Sequence, residues 1–208
     1  MKNSFIVLEG IEGAGKTTAC NIIGQFLQDK NINDIVITHD PGGTPVAENL
    51  RYLIKHSIEK EKISDEAELL MLYSARIQLI EVIIKPALVR GAWVISDRYD
   101  LSTKAYQGAG RNINNKLITT IRNLILEKIT PDLTFYLDVT PEIGLQRAKN
   151  RGKLDRIEQE SIDFFVKVRQ CYLEEVKKDI KIKFIDATQS LYAVKSKLHL
   201  EMEKWWRK

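Results

Sequence analysis

Eight residues near the start of the chain, Gly10-Ile11-Glu12-Gly13-Ala14-Gly15-Lys16-Thr17, have the types and spacing that hold phosphate. They fit GxxxxGK[ST], in which glycines let backbone N–H groups converge on phosphate oxygens and the following helix adds partial positive charge at its N-terminus. Lys16 is placed to reach the β and γ phosphates of a nucleoside triphosphate, Thr17 to ligate magnesium, and Thr18 to continue the cradle. Glu12 is out of place in such a loop. A carboxylate ~7 Å from a phosphate charge, at an effective dielectric of roughly 20, is repelled by about 2 kcal/mol. Either Glu12 turns away from the donor toward a hydroxyl or amine of a second ligand, or it is a solvated loop carboxylate. An acceptor must lie beside the γ-phosphate for transfer, which favours the first reading.

A second group of residues could supply that acceptor. Trp93 to Ser96 is apolar and runs into Asp97-Arg98-Tyr99. An acid at the carboxyl end of a strand can orient hydrated magnesium, and an arginine beside it can grip a monophosphate bidentately. Asp97-Arg98 alone reads equally well as a structural ion pair. Asp40-Pro41-Gly42-Gly43-Thr44 makes a rigid turn after another apolar run, and Arg51 lies in the helix which that turn starts.

These groups need a scaffold that brings them to one edge. Short apolar runs at Phe5–Leu8, Ile35–Thr38, Trp93–Ser96, Leu133–Asp138 and Ile182–Asp186 alternate with longer amphipathic stretches. That pattern predicts an α/β fold, a parallel sheet with helices on both faces and strands buried on both sides. Helices are expected at Thr17–Asp29, Val46–Ile54, from Asp65 behind a Ser64 cap until Pro86 kinks or ends it, Asn114–Glu127, Pro141–Asn150 behind Thr140, Ile157–Asp179, and from Ser190 to the terminus. In the last helix Leu191, Val194, Leu198, Met202 and Trp205 form one stripe read as core, with Trp206 off it. No linker or repeat is visible, so residues 1–208 read as one domain. With 44% apolar residues in 208, the chain can bury enough surface to need no disulfide or metal staple. A net charge of +4 does not demand nucleic acid. Cys20 and Cys171 form no CxxC, no run of 18 apolar residues occurs, and the N-terminal run is too short for a signal peptide. A cytoplasmic protein with no membrane partner is expected.

The motifs GIEGAGKTT, DPGGT, LMLYSAR, DRYDLSTKAYQG, PDLTFYLDVTPEIGLQR and RGKLDRIE, spread over essentially the whole length, resemble those of thymidylate kinases of the bacterial kind. The resemblance implies a P-loop NTPase fold whose five parallel strands run in the order 2-3-1-4-5, and a homodimer formed through helices remote from the phosphates. It implies phosphorylation of dTMP to dTDP with ATP and magnesium. Carried onto this sequence, it assigns Arg51 and Arg98 to the dTMP phosphate and Asp97 to the magnesium and transferring group. Glu12 falls to the acceptor sugar or its local water and magnesium network. Arg76 is implied for a base oxygen, with Thr103 and Gln107 at the pyrimidine edge and Ser102 beside them. Tyr106 is implied to crowd the 2′ position and select deoxyribose.

Two positions depart from the family. Leu72 stands where a phenylalanine usually stacks on thymine, a loss of about 1–3 kcal/mol that burial recovers in part; neighbouring Tyr73 faces elsewhere on the helix. Weaker dTMP binding and looser base choice are expected. Asp40 replaces a glutamate and, one methylene shorter, is expected to miss its usual partner, Arg98 or a magnesium-bound water. Finally, Arg147, Lys149, Arg151, Lys153 and Arg156 place five cations in ten residues around Gly152. A solvated face is the plain reading. The resemblance instead implies a short lid, about 147–158, that supplies an arginine which the loop lacks at Gly13. Arg151 is the first choice, with Arg147 and Arg156 behind it and Arg147 also near the nucleotide. Leu72 keeps another acceptor, such as dUMP or a different pyrimidine monophosphate, in contention. A nucleotide-dependent switch would want a guanine-reading NKxD segment, which is absent.

Overall fold

The computed structural model describes residues 3–56, 61–126 and 129–207. Its elements are β1 (Phe5–Glu9), α1 (Lys16–Asp29), β2 (Ile35–His39), α2 (Pro45–Lys55), α3 (Asp65–Leu79), α4 (Lys85–Val89), β3 (Trp93–Asp97), α5 (Asp100–Thr103), α6 (Asn115–Ile125), β4 (Leu133–Asp138), α7 (Pro141–Arg151), α8 (Ile162–Lys178), β5 (Ile182–Asp186) and α9 (Leu191–Trp206). The strands form one all-parallel sheet ordered β2-β3-β1-β4-β5, the order expected. Side-chain alternation sends Ile6 and Leu8 into a core built with α1, α8 and α9, while Phe5 and Val7 pack against the segment from α3 to α4. Burial on both faces holds for β1, β3 and β4. The edge strands are only half covered, with Ile37 49% exposed, because an edge has a neighbour on one side alone.

Pro86 does not end its helix. Residues Ile80–Ile84 widen into a π turn between α3 and α4, so Pro86 falls in the first turn of the resumed α-helix, where a missing N–H is tolerated. The helix expected from Ile157 starts at Ile162 instead. Ser161 caps it by accepting from Phe164 N, and Asp155 Oδ1 accepts from Ile157 N and Glu158 N, closing a turn before it. The segment after Tyr99 is helical from Asp100 and becomes π-helical over Lys104–Gly110. In α9, Val194, Leu198 and Met202 are buried, whereas Leu191 is 63% exposed; Trp206, off the stripe, stacks on Trp93 at 5.6 Å between ring centroids. Glu127 and Lys208, the expected ends of two helices, lie outside the described residues. Among the described residues no helix is long and apolar enough to cross a membrane.

Parallel pairing aligns Leu8 with Asp97 and His39 with Asp97, so the ends of β1, β2 and β3 finish at one edge of the sheet. There α7 passes directly over the phosphate loop. A Cβ on Gly13 would strike the Gly144 carbonyl, and one on Gly144 would meet the Glu12 carbonyl at 2.5 Å. Gly144→Ala is therefore expected to destabilise the chain by about 1–3 kcal/mol through overpacking, read as a lowered midpoint in urea unfolding.

Candidate active site

A cavity of about 740 Å³ runs along this edge. The phosphate loop forms one end: Gly13, Gly15, Lys16, Thr17 and Thr18 line it, while Ile11 and Ala14 are buried behind the wall. The carbonyls of Gly10 and Ile11 accept from Lys16 Nζ at 3.1 and 2.9 Å. Burial, reinforced by the Arg98 charge and opposed by Asp97 and Glu12, lowers Lys16 to about 8. Thr17 Oγ1 donates to Asp97 Oδ2 at 2.9 Å, so the two residues read for magnesium meet. Arg147 lies at this end, anchored by a 2.9 Å bond to the Ala187 carbonyl.

Arg98 occupies the middle. Its backbone has a positive φ of 75°, with its N–H on the Leu8 carbonyl and its own carbonyl held by Ser96 Oγ. The guanidinium donates to Glu12 Oε1 at 2.7 Å, Tyr106 Oη at 3.0 Å and Ser102 Oγ at 3.0 Å. Tyr106 Oη donates to the other Glu12 oxygen at 2.6 Å. Glu12 thus turns from the phosphate cradle toward the acceptor side, its side chain only 15% exposed, and is no solvated loop carboxylate. Below this group lies Glu9, which the sequence reading missed. It is fully buried and accepts from Ser102 Oγ, Tyr172 Oη and the Tyr99 N–H. Burial pushes its carboxyl up, against the pull of Arg98 and these donors. An acid closing an apolar strand just before Gly10 was the available signal.

The far end gathers Arg51, Leu72, Arg76, Thr103 and Gln107 around the cavity. Arg51 donates to the Pro41 carbonyl at 2.8 Å. Arg76 is almost wholly buried and donates from Nη2 to Thr103 Oγ1 at 2.9 Å. Its Nε bonds Asp40, so the shortened acid reaches Arg76 and not Arg98 or the magnesium residues; the other Asp40 oxygen, Oδ1, has no hydrogen-bond partner among the described residues. A carboxylate with one methylene fewer stays close to its own strand end, where Arg76 of α3 comes down beside it. Tyr73 points away from the cavity, its hydroxyl on Asp100. Gln107 donates to Glu68, another buried acid without a role in the sequence reading.

At the end of α7, Arg151 lines the cavity with a side chain 65% exposed and bonded to Glu158 at 2.6 Å. Arg156 is held elsewhere. Its Nε donates to the Ile54 carbonyl at 2.8 Å, its Nη2 bonds Glu68, and Lys55 pairs with Asp155 at 2.7 Å. These contacts turn it onto the ends of α2 and α3, away from the phosphates.

A phosphate loop opening a parallel 2-3-1-4-5 sheet, with a second arginine-lined subsite in the same cavity, defines a nucleoside monophosphate kinase. Residues 8–198 match the family model for thymidylate kinase. The chain is also similar to the crystal structure of thymidylate kinase from Ehrlichia chaffeensis, 30% identical over 100% of both chains with a TM-score of 0.77. It belongs to the thymidylate kinase family, whose reaction is ATP-dependent phosphorylation of dTMP to dTDP, a step toward dTTP.

The lowered Lys16 gives that reaction a pH signature. The unfolded chain holds this proton up to about 10.5 and the folded chain only to about 8. The cost of burying the charged amine is therefore present below pH 8 and relieved as pH rises toward 10.5. Triphosphate oxygens restore the charge, so ATP binding is expected to weaken above pH 8 and to take up most of one proton at pH 9. Calorimetry at pH 9 in buffers of different ionisation enthalpy measures this uptake. Lys16→Arg, which cannot deprotonate, should abolish it.

Proposed function

We propose that this chain transfers the γ-phosphoryl group of ATP in line onto dTMP within the single cavity, as a bacterial-type thymidylate kinase with a lid arginine. The observation that carries this reading is Arg98, which stands between the phosphate loop and the acceptor subsite and touches Glu12 from one and Ser102 and Tyr106 from the other. Lys16 and the loop N–H groups bind the ATP phosphates, with Arg147 alongside the nucleotide. Arg98 and Arg51 hold the dTMP phosphate. Until that phosphate arrives, Glu12 keeps the buried guanidinium paired; afterwards it is free to meet the acceptor sugar and its waters. Arg76, Thr103 and Gln107 face the pyrimidine edge, Leu72 covers its face, and Tyr106 crowds the 2′ position.

Thr17 and Asp97 fit magnesium, since that ion keeps several waters and takes few protein oxygens beside substrate phosphates. When bound it neutralises charge on the transferring phosphates. Asp97 is also the base assigned to a proton carried by the acceptor phosphate. The lid arginine Arg151 leaves Glu158 and meets charge on the phosphoryl group as the lid closes and excludes water. Residues 1–208 act as one domain. Exposed apolar pairs at heptad spacing, Leu70 with Ile77 on α3 and Leu117 with Leu124 on α6, suit a homodimer face away from the phosphates. The free Cys20 and Cys171 suit a reducing, cytoplasmic setting.

Purified chain with ATP, magnesium and a panel of deoxy and ribo monophosphates should release ADP fastest with dTMP; no acceleration by dTMP would refute the reading. Arg151→Ala should lower kcat by at least about 100-fold, as for an arginine finger, with the KM for dTMP within a few-fold. An unchanged kcat would reject Arg151. Leu72→Phe should lower the KM for dTMP by about tenfold through restored stacking.

A further inference from the structure

Glu68, Leu72 and Arg76 lie at i, i+4 and i+8 on α3, so they form one stripe facing the acceptor end of the cavity. Leu72 and Arg76 line the cavity; Glu68, one turn earlier and fully buried, sits behind it. Its carboxylate receives Gln107 Nε2 at 2.7 Å, Arg111 Nε at 3.3 Å, and Arg156 Nη2 from the lid. Burial alone would push this carboxyl up, but the bonds from Arg156, Arg111 and Gln107 hold it below the usual glutamate range. It is ionised at neutral pH, and an ionised carboxylate only accepts. The Gln107 amide has no choice of orientation. Its NH₂ must face Glu68, and its carbonyl oxygen, which no described residue donates to, is the end left for the cavity that Gln107 lines.

We propose that Glu68 is a positioning residue for base choice: it holds Gln107 with its carbonyl oxygen toward the base, as an acceptor for the N3–H of a pyrimidine-2,4-dione. This rests on the reading that places Gln107 at the pyrimidine edge. A cytosine carries a lone pair at N3, and a fixed carbonyl oxygen opposes it. A buried polar group left without its partner carries a desolvation cost, expected here as at least about tenfold discrimination against the cytosine. The looser thymine stacking at Leu72 makes the edge contacts the larger share of base recognition. The same carboxylate is gripped by Arg156, whose neighbour Asp155 pairs with Lys55 at the end of α2, so the lid base and the base-reading amide share one anion.

The diagnostic substrates are dTMP and 5-methyl-2′-deoxycytidine monophosphate, which differ only at N3 and position 4 of the ring. Glu68→Gln puts at position 68 an amide that either donates or accepts, so Gln107 can turn its NH₂ to the base. The ratio of kcat/KM for dTMP over the cytosine analogue should fall at least about tenfold, a readout that general loosening, which slows both substrates, leaves in place. Gln107→Leu should lose the same discrimination, with no further loss in the double variant. The exchange of Glu68→Gln with Gln107→Glu should regain it, since the new amide then donates to a carboxylate whose second oxygen faces N3–H. It also retains one negative charge beside Arg111 and Arg156 if the single variant fails to fold. Discrimination kept in Glu68→Gln but lost in Gln107→Leu overturns the role of Glu68 alone. Discrimination kept in Gln107→Leu overturns the placement of Gln107 and with it this inference. An exchange variant that folds without regaining thymine preference overturns the inference as well.

Discussion

A buried guanidinium must always have an anion, and at Arg98 this constraint organises the site. Removing one partner of a buried pair is worth about 3–5 kcal/mol because it strands the other charge. Arg98 reaches its place through a left-handed backbone residue at the end of β3, a conformation that costs about 1–3 kcal/mol outside glycine. Glu12, Tyr106 and Ser102 accept its hydrogen bonds, and underneath them Glu9 accepts from the Ser102 hydroxyl. The carboxylate that looked misplaced in a phosphate loop is thereby explained. It pairs with Arg98 and Tyr106, and in the proposed reaction it is the anion that a substrate phosphate replaces.

The sheet makes this exchange possible. Parallel strands deposit their carboxyl ends at one edge, so residues about 90 positions apart, such as Glu9 and Tyr99, come within hydrogen-bonding distance without any long loop. The phosphate loop is then clamped from above by α7, whose Gly144 lets helix and loop backbones touch. The phosphate loop and the Arg51–Arg76 group are consequently two ends of one cavity, and positioning, the main demand of phosphoryl transfer, is built into the strand register.

The basic segment around Gly152 is tethered on one side. Asp155 and Arg156 dock on α2 and α3, whereas Arg151 stays exposed on the nucleotide side of the same segment. One short stretch of basic residues therefore divides between anchored and exposed side chains. Its neighbour network, through Glu68 to Gln107, runs to the acceptor end of the cavity and links the lid base with the base edge.

Local pattern was enough for much of this. The GxxxxGK[ST] spacing, the apolar strand runs and the cap at Ser64 each act within a few residues, and with the helical periodicity they specified the phosphate loop, five strands and most helices. Family motifs supplied the strand order and the reaction. Pro86 and the start of α8 escaped because a π turn and a local aspartate cap change the register without changing periodicity. Glu9 left a signal only in its place at a strand end, and Glu68 and the Asp40–Arg76 pair left none: each is an ordinary acid in sequence, and its meaning comes from a partner such as those 36 to 93 residues away. Charge type is written along the chain, but which charge faces which is decided only when burial strips away water and leaves every ion to find its counterion in the packed structure.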